Sequence, residues 1–271
     1  MSILKRFGRA LRRWVSRFRD AEINRAIILV YSMGKVGSTS VYRSLRARLP
    51  HANIFHAHFL SDYWLNERLP NADAHFHGNI KIGKRIRDFI ARHPNRRLKI
   101  ITLVREPVMR DLSGLFENWE AHFDKDESDV STLLSKMHAH SHEYSLNWFD
   151  TEFKNFTDFD IYNASFDKEK GYSIYNSEQA DILCVRIEDL DRVASQAFYE
   201  FLGLRNFAVE HKNRADQKDR SHLYKLVRDQ YVAEKEKLAQ LYSSKYVTHF
   251  YAQKEIEEFF RKWTKSASAE A

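Results

Sequence analysis

A short segment rich in glycine and hydroxyl side chains is the first place where this sequence could do chemistry. It reads Ser32-Met33-Gly34-Lys35-Val36-Gly37-Ser38-Thr39-Ser40. Glycines permit a tight turn, N–H groups at a helix start attract anions, and the hydroxyls and the lysine add donors and positive charge. The segment predicts a phosphate-binding loop. Its spacing departs from the nucleoside-triphosphatase pattern G-x-x-x-x-G-K-S/T, and an ordinary strand-to-helix turn with a hydroxyl cap is the alternative.

A second group of candidate residues follows an apolar run further along the chain. Arg105 comes directly after that run, and Arg110 and Ser113 lie in the helical pattern that follows. Because a strand-end arginine and a serine two helical turns later can approach each other, we expect Arg105 and Ser113 to converge on one anion beside the first loop. Pro107 suits the first turn of that helix, where its missing N–H is not needed.

Four apolar runs predict the buried strands that position these residues: Ala26–Tyr31, Asn53–Phe59, Leu98–Val104 and Ile182–Ile187. Helical patterns alternate with them at about 39–49, 62–68, 80–93, after Pro107 and at 193–202, and two more close the chain at about 217–242 and 253–263. This alternation predicts an α/β fold, a parallel sheet flanked by helices that contains a P-loop-like strand–loop–helix. Ligands bind at the carboxyl ends of such strands.

The positive charge of the chain is concentrated at its N-terminus. The sequence has 44 Lys and Arg against 37 Asp and Glu, for a formal charge of +7, and residues 1–19 hold seven bases and no acid. The remainder is formally neutral, which argues against nucleic acid as the partner. Apolar residues of this segment fall on one helical face, so residues 1–22 are expected to form a basic amphipathic helix. It either lies on an anionic membrane surface or packs on the body.

The length and composition of the chain predict one globular domain. Residues 23–263 form the expected α/β domain and residues 264–271 a disordered tail. A single cysteine, Cys184, excludes an intrachain disulfide. The sequence shows no signal peptide and no stretch of about 20 apolar residues, so we expect a cytoplasmic protein, held at the inner face of the membrane if the basic helix binds lipid.

The two motifs together resemble those of the sulfotransferase superfamily, whose donor is 3′-phosphoadenosine 5′-phosphosulfate. Lys35-Val36-Gly37-Ser38-Thr39 is similar to the family's first motif, the Arg105–Ser113 segment to its second, and Arg186–Leu190 is a weaker echo of a third. The resemblance spans about residues 25–205. Residues near the C-terminus, including Ser244–Tyr246 and His249–Tyr251, are most similar to bacterial proteins associated with capsular polysaccharide synthesis.

The resemblance implies transfer of a sulfuryl group by in-line displacement to a hydroxyl, of a saccharide or a glycolipid, without a metal. Lys35 would neutralise charge on the bridging oxygen, and Arg105 and Ser113 would hold the 3′-phosphate. The residues that would hold the 5′-phosphosulfate are Lys35, Gly37, Ser38, Thr39 and Ser40. Residues 120–180, whose periodicity is weak, are expected to form the acceptor side.

Sulfuryl transfer needs a base to take the proton of the acceptor, and histidine or glutamate suits that task. His58 and His56 rank first, because they lie at the end of a predicted strand and their His-x-His spacing is similar to that of uronyl 2-O-sulfotransferases. His77, in His75-Phe76-His77, ranks next and Glu117 behind it. A zinc site on His56 and His58 is the alternative, but a third ligand is missing.

Three further groups have weaker interpretations. The triple His138, His140 and His142 falls in the weakly periodic region and indicates surface or substrate-loop histidines. Glu188 and Asp189 are either partners of the site or a cap for the next helix, and the basic stretch Lys212–Arg220 is a candidate for closing over the nucleotide.

Two other classes of function compete with the sulfotransferase interpretation. A nucleoside-triphosphate-dependent phosphotransferase on a similar fold predicts Mg²⁺-dependent binding of ATP. A non-catalytic membrane-surface protein predicts that deletion of residues 1–22 abolishes all function, whereas an enzyme should still act on a soluble acceptor.

Overall fold

The computed structural model describes residues 23, 25–71, 77–210 and 220–265, which fold around one five-stranded sheet. Its strands are β1 (Ile27–Tyr31), β2 (Asn53–Ala57), β3 (Leu98–Val104), β4 (Tyr172–Asn176) and β5 (Ala180–Arg186). The strand order is β2-β1-β3-β5-β4. All neighbouring pairs are parallel except β4 with β5, which is antiparallel. The predicted α/β fold, with its mostly parallel sheet, is confirmed.

Twelve α-helices surround this sheet in the described part of the chain. They are α1 (Ser38–Arg48), α2 (His77–Ala91), α3 (Pro107–Glu117), α4 (Trp119–His122), α5 (Val130–Ala139), α6 (Glu143–Trp148), α7 (Lys154–Thr157), α8 (Leu190–Leu202), α9 (Ser221–Gln230), α10 (Lys235–Tyr242), α11 (Lys245–Phe250) and α12 (Gln253–Thr264). π-Helical turns occupy Tyr63–Arg68 and Phe149–Phe153, and 3₁₀ turns occupy Leu69–Asn71, Ile161–Asn163 and Ile187–Asp189.

The apolar runs of the sequence form the central strands because helices cover both faces of the sheet. Every residue of β1 is buried, as is every residue of β3 after Leu98. Strands that are buried on both sides read as continuous apolar runs. The edge strand β4 was not predicted, because its sequence YSIYN is only five residues long and is buried at only two of its positions.

The predicted helix at 217–242 is wrong as a single element. The structure has α9 and α10 there, separated by four residues, and Tyr231 at the end of α9 has extended backbone angles. The N–H of Ala233 donates to the carbonyl of Trp263 at the end of α12, at 2.7 Å. This tertiary hydrogen bond fixes the break, so no local pattern could reveal it. About half of residues 120–180 are helical, in elements too short to display a period.

Several predictions concern residues outside the described part of the chain. These are the basic helix over residues 1–22, His75, and most of Lys212–Arg220 and of the 264–271 tail. In the part that the structure describes, no helix is both long and apolar enough to span a bilayer.

A buried glutamate holds the segment that follows β2 in place through hydrogen bonds. Glu152 is fully buried, and its carboxylate accepts hydrogen bonds from the hydroxyl of Tyr31, the N–H of Leu60, and both the N–H and hydroxyl of Ser61. The indole of Trp148 donates to the carbonyl of His58 at 3.1 Å. Because a buried acceptor must be satisfied, these bonds determine where the chain runs past the end of β2.

Replacing this glutamate by glutamine is expected to lower the free energy of unfolding by about 1–2 kcal/mol, because the amide nitrogen cannot accept the hydrogen bond that the carboxylate takes from Ser61. Urea unfolding of Glu152→Gln measures the change. The exposed Glu178→Gln is the control, with an expected change within about 0.5 kcal/mol. Equal stability of the two variants would contradict a stabilising role for the hydrogen bonds of Glu152.

Candidate functional site

The loop between β1 and α1 has the sharp turns that its glycines allow. Lys35 and Gly37 both lie in the left-handed region, with φ of 70° and 83°. Gly37 is the N-cap of α1, and a Cβ placed on it would lie 2.5 Å from Cδ1 of Ile187. Glycine is therefore required at position 37 by conformation and by close contact. The predicted strand–loop–helix is present, and its role as a phosphate-binding loop stays a prediction.

Two arginines from the second motif hold the backbone of this loop. Nη1 of Arg105 donates to the carbonyl of Lys35 at 2.8 Å, and Nε of Arg110 donates to the carbonyl of Gly34 at 3.0 Å. The N-terminal end of α3 and the first loop thus form one unit. The positive charges of Arg105, directly after β3, and of Arg110, in α3, therefore lie against the loop that precedes α1.

The side chains of Arg105 and Ser113 approach each other as expected, and their binding of an anion stays a prediction. Nη1 of Arg105 donates to Oγ of Ser113 at 3.0 Å. The hydroxyl of Tyr224, on α9, lies 3.3 Å from the same Oγ. Tyr246 further fixes the backbone of Arg105, accepting from its N–H at 3.0 Å and donating to its carbonyl at 2.8 Å. Neither tyrosine could be predicted from local spacing, because both lie more than 100 positions away along the chain.

The side chain of Lys35 extends to the far end of α3. Its Nζ lies 3.3 Å from Oε1 of Glu117, with 26% and 41% of the two side chains exposed. An ion pair this exposed contributes at most about 1 kcal/mol, so an anionic ligand can compete for the ammonium. Glu117, a lower-ranked candidate base, is thus the present partner of the lysine.

Two carboxylates, those of Glu106 and Glu188, join the ends of β3 and β5 to the C-terminal helices. Glu106 is buried and caps α3, accepting from the N–H groups of Val108 and Met109 and from the hydroxyl of Tyr242. Its own N–H donates to Oε1 of Glu188 at 2.8 Å. Burial raises the pKa of Glu106, although these hydrogen bonds oppose the shift.

Glu188 and Asp189 were expected either to be partners of the site or to cap the next helix. Their side-chain contacts do not match capping. Glu188 also accepts from the hydroxyl of Tyr251 at 3.2 Å, and Asp189 accepts from Arg186 and Arg192. Glu188 therefore links the end of β5 to the start of α3 and to the residue that follows α11.

The two highest-ranked histidines lie beside the loop and are half-buried. Nε2 of His56 is 3.0 Å from Oγ of Ser38, and Nδ1 of His58 is 2.7 Å from the carbonyl of Ser32. Their rings are 4.8 Å apart. Since a carbonyl only accepts, Nδ1 of neutral His58 carries the proton and Nε2 the lone pair. The roles of both histidines as base stay predictions. His77 begins α2 and is exposed.

Their surroundings disfavour the charged form of both histidines. Burial, and then repulsion from His58, lowers the pKa of His56 to about 3. Burial also lowers the pKa of His58, opposed by the carbonyl of Ser32 and reinforced by Lys35 and Arg110. Both rings are therefore neutral at neutral pH.

This shift predicts that stability falls on acidification. Between pH 6.5 and about 3 the unfolded chain gains a proton on residue 56 that the native chain does not, so the free energy of unfolding decreases as the pH falls. The slope for one such group approaches about 1.4 kcal/mol per pH unit at most. His56→Gln should flatten the dependence measured by urea unfolding at several pH values. The exposed His51→Gln is the control, and unchanged slopes in both variants would refute the expectation.

A third group of titratable side chains lies on the flank of α3. Asp111 is fully buried, and Oδ2 is 2.6 Å from Nδ1 of His142. Oδ1 accepts from the hydroxyl of Ser145 at 2.7 Å and from the guanidinium of Arg110, with Nε2 of His140 at 3.8 Å. Burial alone would raise the pKa of Asp111, but Arg110, the nearby His140 and the hydrogen bond from His142 hold it well below its usual range.

Within the triple that the sequence assigns to the surface or a substrate loop, this cluster distinguishes His142 from His138. His142 lies directly before α6 and is bonded to a buried carboxylate, while His138 belongs to α5 and is exposed. Sequence reasoning missed the cluster because nothing local links Asp111 to a histidine 31 positions away. Among the residues that the structure describes, no group of three or more His, Cys, Asp or Glu side chains could hold a metal ion.

Comparison with known proteins identifies a family. No curated protein and no solved structure matches the sequence. A family model described as "Putative capsular polysaccharide synthesis protein" matches residues 116–252, just over half of the chain. The matched segment includes the histidines around Asp111 as well as Tyr224 and Tyr246. The chain therefore belongs to this family of capsular polysaccharide synthesis proteins.

Proposed function

We propose that this protein transfers a sulfuryl group from 3′-phosphoadenosine 5′-phosphosulfate to a hydroxyl of a saccharide or glycolipid. The observation that carries the proposal is the double contact of Arg105, with the carbonyl of Lys35 at 2.8 Å and the hydroxyl of Ser113 at 3.0 Å. It brings together the two motifs that we propose to bind anions, and a donor with phosphate at both ends requires two such groups. Membership of a capsular polysaccharide synthesis family supports a saccharide acceptor.

In this proposal the loop binds the 5′-phosphosulfate. The first N–H groups of α1 have no acceptor within their own helix, and the helix dipole favours negative charge there. The hydroxyls of Ser38, Thr39 and Ser40 add donors, and Lys35 exchanges its exposed pairing with Glu117 for the bridging oxygen. Positive charge at that oxygen stabilises the transition state, where the leaving phosphate gains charge.

The 3′-phosphate binds at Arg105 and Ser113 in this proposal. A guanidinium and a hydroxyl already 3.0 Å apart can both donate to one phosphate group. Tyr224 lies within reach of the same position. The segment 212–220 precedes α9, so its basic residues remain our candidates for covering the nucleotide.

His58 and His56 remain the candidates that the sequence proposes for the base. The hydrogen bond of His56 with Ser38 suits a residue that orients the loop hydroxyl. The neutral His58 has its Nε2 lone pair available, and a bound anionic donor would offset the charges of Lys35 and Arg110 that lower its pKa. We also propose that residues 1–19 bring the enzyme to an anionic membrane surface at the cytoplasmic face.

Product analysis with labelled donors tests this function. The full-length protein is incubated with ³⁵S-labelled donor and simple methyl glycosides, and separately with γ-³²P-labelled ATP and Mg²⁺. The expected result is label transfer from the sulfuryl donor alone, with adenosine 3′,5′-bisphosphate formed in equal amount. Transfer from ATP alone would instead favour a phosphotransferase, and no transfer from either donor would favour the non-catalytic membrane protein.

A further inference from the structure

A buried aspartate and a histidine form a hydrogen-bonded pair next to the loop. Oδ2 of Asp111 lies 2.6 Å from Nδ1 of His142. The carboxylate is fully buried, whereas 20% of the histidine side chain is exposed. The protein thus holds an orienting carboxylate inside, bonded to an imidazole that is partly exposed to solvent.

One arginine connects this pair to the proposed donor loop. Arg110 donates through Nη1 to Oδ1 of Asp111 and through Nε to the carbonyl of Gly34. Its guanidinium lies 4.4 Å from the ring centre of Tyr144, which holds it in place from the start of α6. The His142 pair is therefore separated from the loop by a single side chain.

The hydrogen bond also determines which nitrogen can accept a proton. An ionised carboxylate only accepts, so Nδ1 of His142 carries hydrogen and Nε2 carries the lone pair. A carboxylate in this position fixes the tautomer and stabilises the imidazolium that forms when Nε2 takes a proton. His58 has a carbonyl at the equivalent place, which cannot supply a compensating charge.

We propose that His142 is the general base that takes the proton of the acceptor hydroxyl, with Asp111 as its positioning residue. The inference rests on the proposed sulfuryl transfer and assigns the base to a residue outside the two sequence motifs. The titratable or charged groups around His142 are Arg110 and Asp111 of α3, His140 at 6.0 Å between ring centres, and His122 of α4, whose ring is 6.4 Å from that of His140.

The step conserves atoms and charge. The acceptor oxygen attacks sulfur and forms the new S–O bond, while the S–O bond to the 5′-phosphate breaks with its electron pair staying on the phosphate. The hydroxyl proton moves to Nε2 of His142, giving an imidazolium beside the carboxylate of Asp111. Adenosine 3′,5′-bisphosphate leaves, and the imidazolium returns its proton to water. In the absence of a sugar, water takes the place of the acceptor.

Kinetics of matched histidine variants test the assignment. The rate of bisphosphate formation from the donor is measured for the full-length wild type, His142→Gln and His138→Gln, with methyl glucoside, methyl glucuronide or water alone as acceptor. His142→Gln is expected to lower kcat by about 10²–10⁴-fold, whereas the exposed His138→Gln stays within about threefold. Affinity for the bisphosphate should change in neither variant, which also reports that each is folded.

Two further measurements separate a chemical role from a structural one. Added imidazole should partly restore the His142→Ala variant, and ¹⁵N NMR of the wild type should show His142 protonated on Nδ1 at neutral pH. A His142→Gln rate within about threefold of wild type, in sugar and in water, would overturn the inference, as would the opposite tautomer. If the wild type does not bind the bisphosphate, the proposed function itself fails and this assignment fails with it.

Discussion

Replacing Lys35 by asparagine is expected to lower the rate of sulfuryl transfer by about 10²–10³-fold with little change in stability. Lys35 has a φ of 70°, a conformation that asparagine tolerates better than most residues with a side chain. The substitution therefore removes the ammonium while keeping the path of the loop. The lost interaction strengthens as the bridging oxygen gains charge, so kcat should fall more than donor affinity.

The control for this variant removes a positive charge elsewhere. Lys254→Asn changes the net charge by the same amount at an exposed position in α12. Its rate should stay within about threefold of wild type, since surface charges far from the reacting atoms are screened. Steady-state kinetics with saturating donor measure both variants. Equal rates for Lys35→Asn and wild type would exclude the lysine from the transition state.

Replacing Gly37 by alanine is expected to destabilise the protein by about 2–4 kcal/mol and to abolish donor binding. Two effects add. The φ of 83° is strained for any residue with a Cβ, and that Cβ would lie 2.5 Å from Ile187 at the end of β5. The Ile187 side chain must move aside and the backbone at the start of α1 must carry the strain, which disturbs the loop that Arg105 contacts.

A companion variant separates these two effects. Gly37→Ala combined with Ile187→Ala removes the clash but leaves the backbone strain, so stability should recover only in part. Gly78→Ala is the matched control, since a Cβ there meets nothing within 4 Å and alanine favours the helical state. Urea unfolding gives the free energies. A Gly37→Ala variant as stable as Gly78→Ala would show that the close contact is not required.

The central sheet could be predicted from the sequence because strands that are buried on both faces have continuously apolar sequences. Continuous apolar runs identified β1, β3 and β5, and their spacing to the helical patterns gave the parallel arrangement. The loop at Gly37 and the approach of Arg105 to Ser113 followed from local spacing alone. In each of these features the interacting residues are close together in the sequence, within one strand–loop–helix segment.

The features that could not be predicted depend on contacts between distant parts of the chain. Tyr224 and Tyr246 approach the Arg105 region from C-terminal helices, and the break after α9 rests on a hydrogen bond to Trp263. The partners of a buried side chain are set by tertiary packing, so His142 could not be distinguished from a surface histidine. The ranking of His58 and His56 relied on strand position and contained no information about their hydrogen-bond partners.

Calorimetric titration of the full-length protein with adenosine 3′,5′-bisphosphate and with adenosine 5′-monophosphate tests the central claim most directly. The two ligands differ only in the 3′-phosphate assigned to Arg105 and Ser113. The expected result is bisphosphate binding without Mg²⁺ that is at least about 10²-fold tighter, since charge-assisted hydrogen bonds contribute about 1.5–3 kcal/mol each. Equal affinities, or no bisphosphate binding at millimolar concentration while ATP binds with Mg²⁺, would contradict the proposed sulfotransferase site.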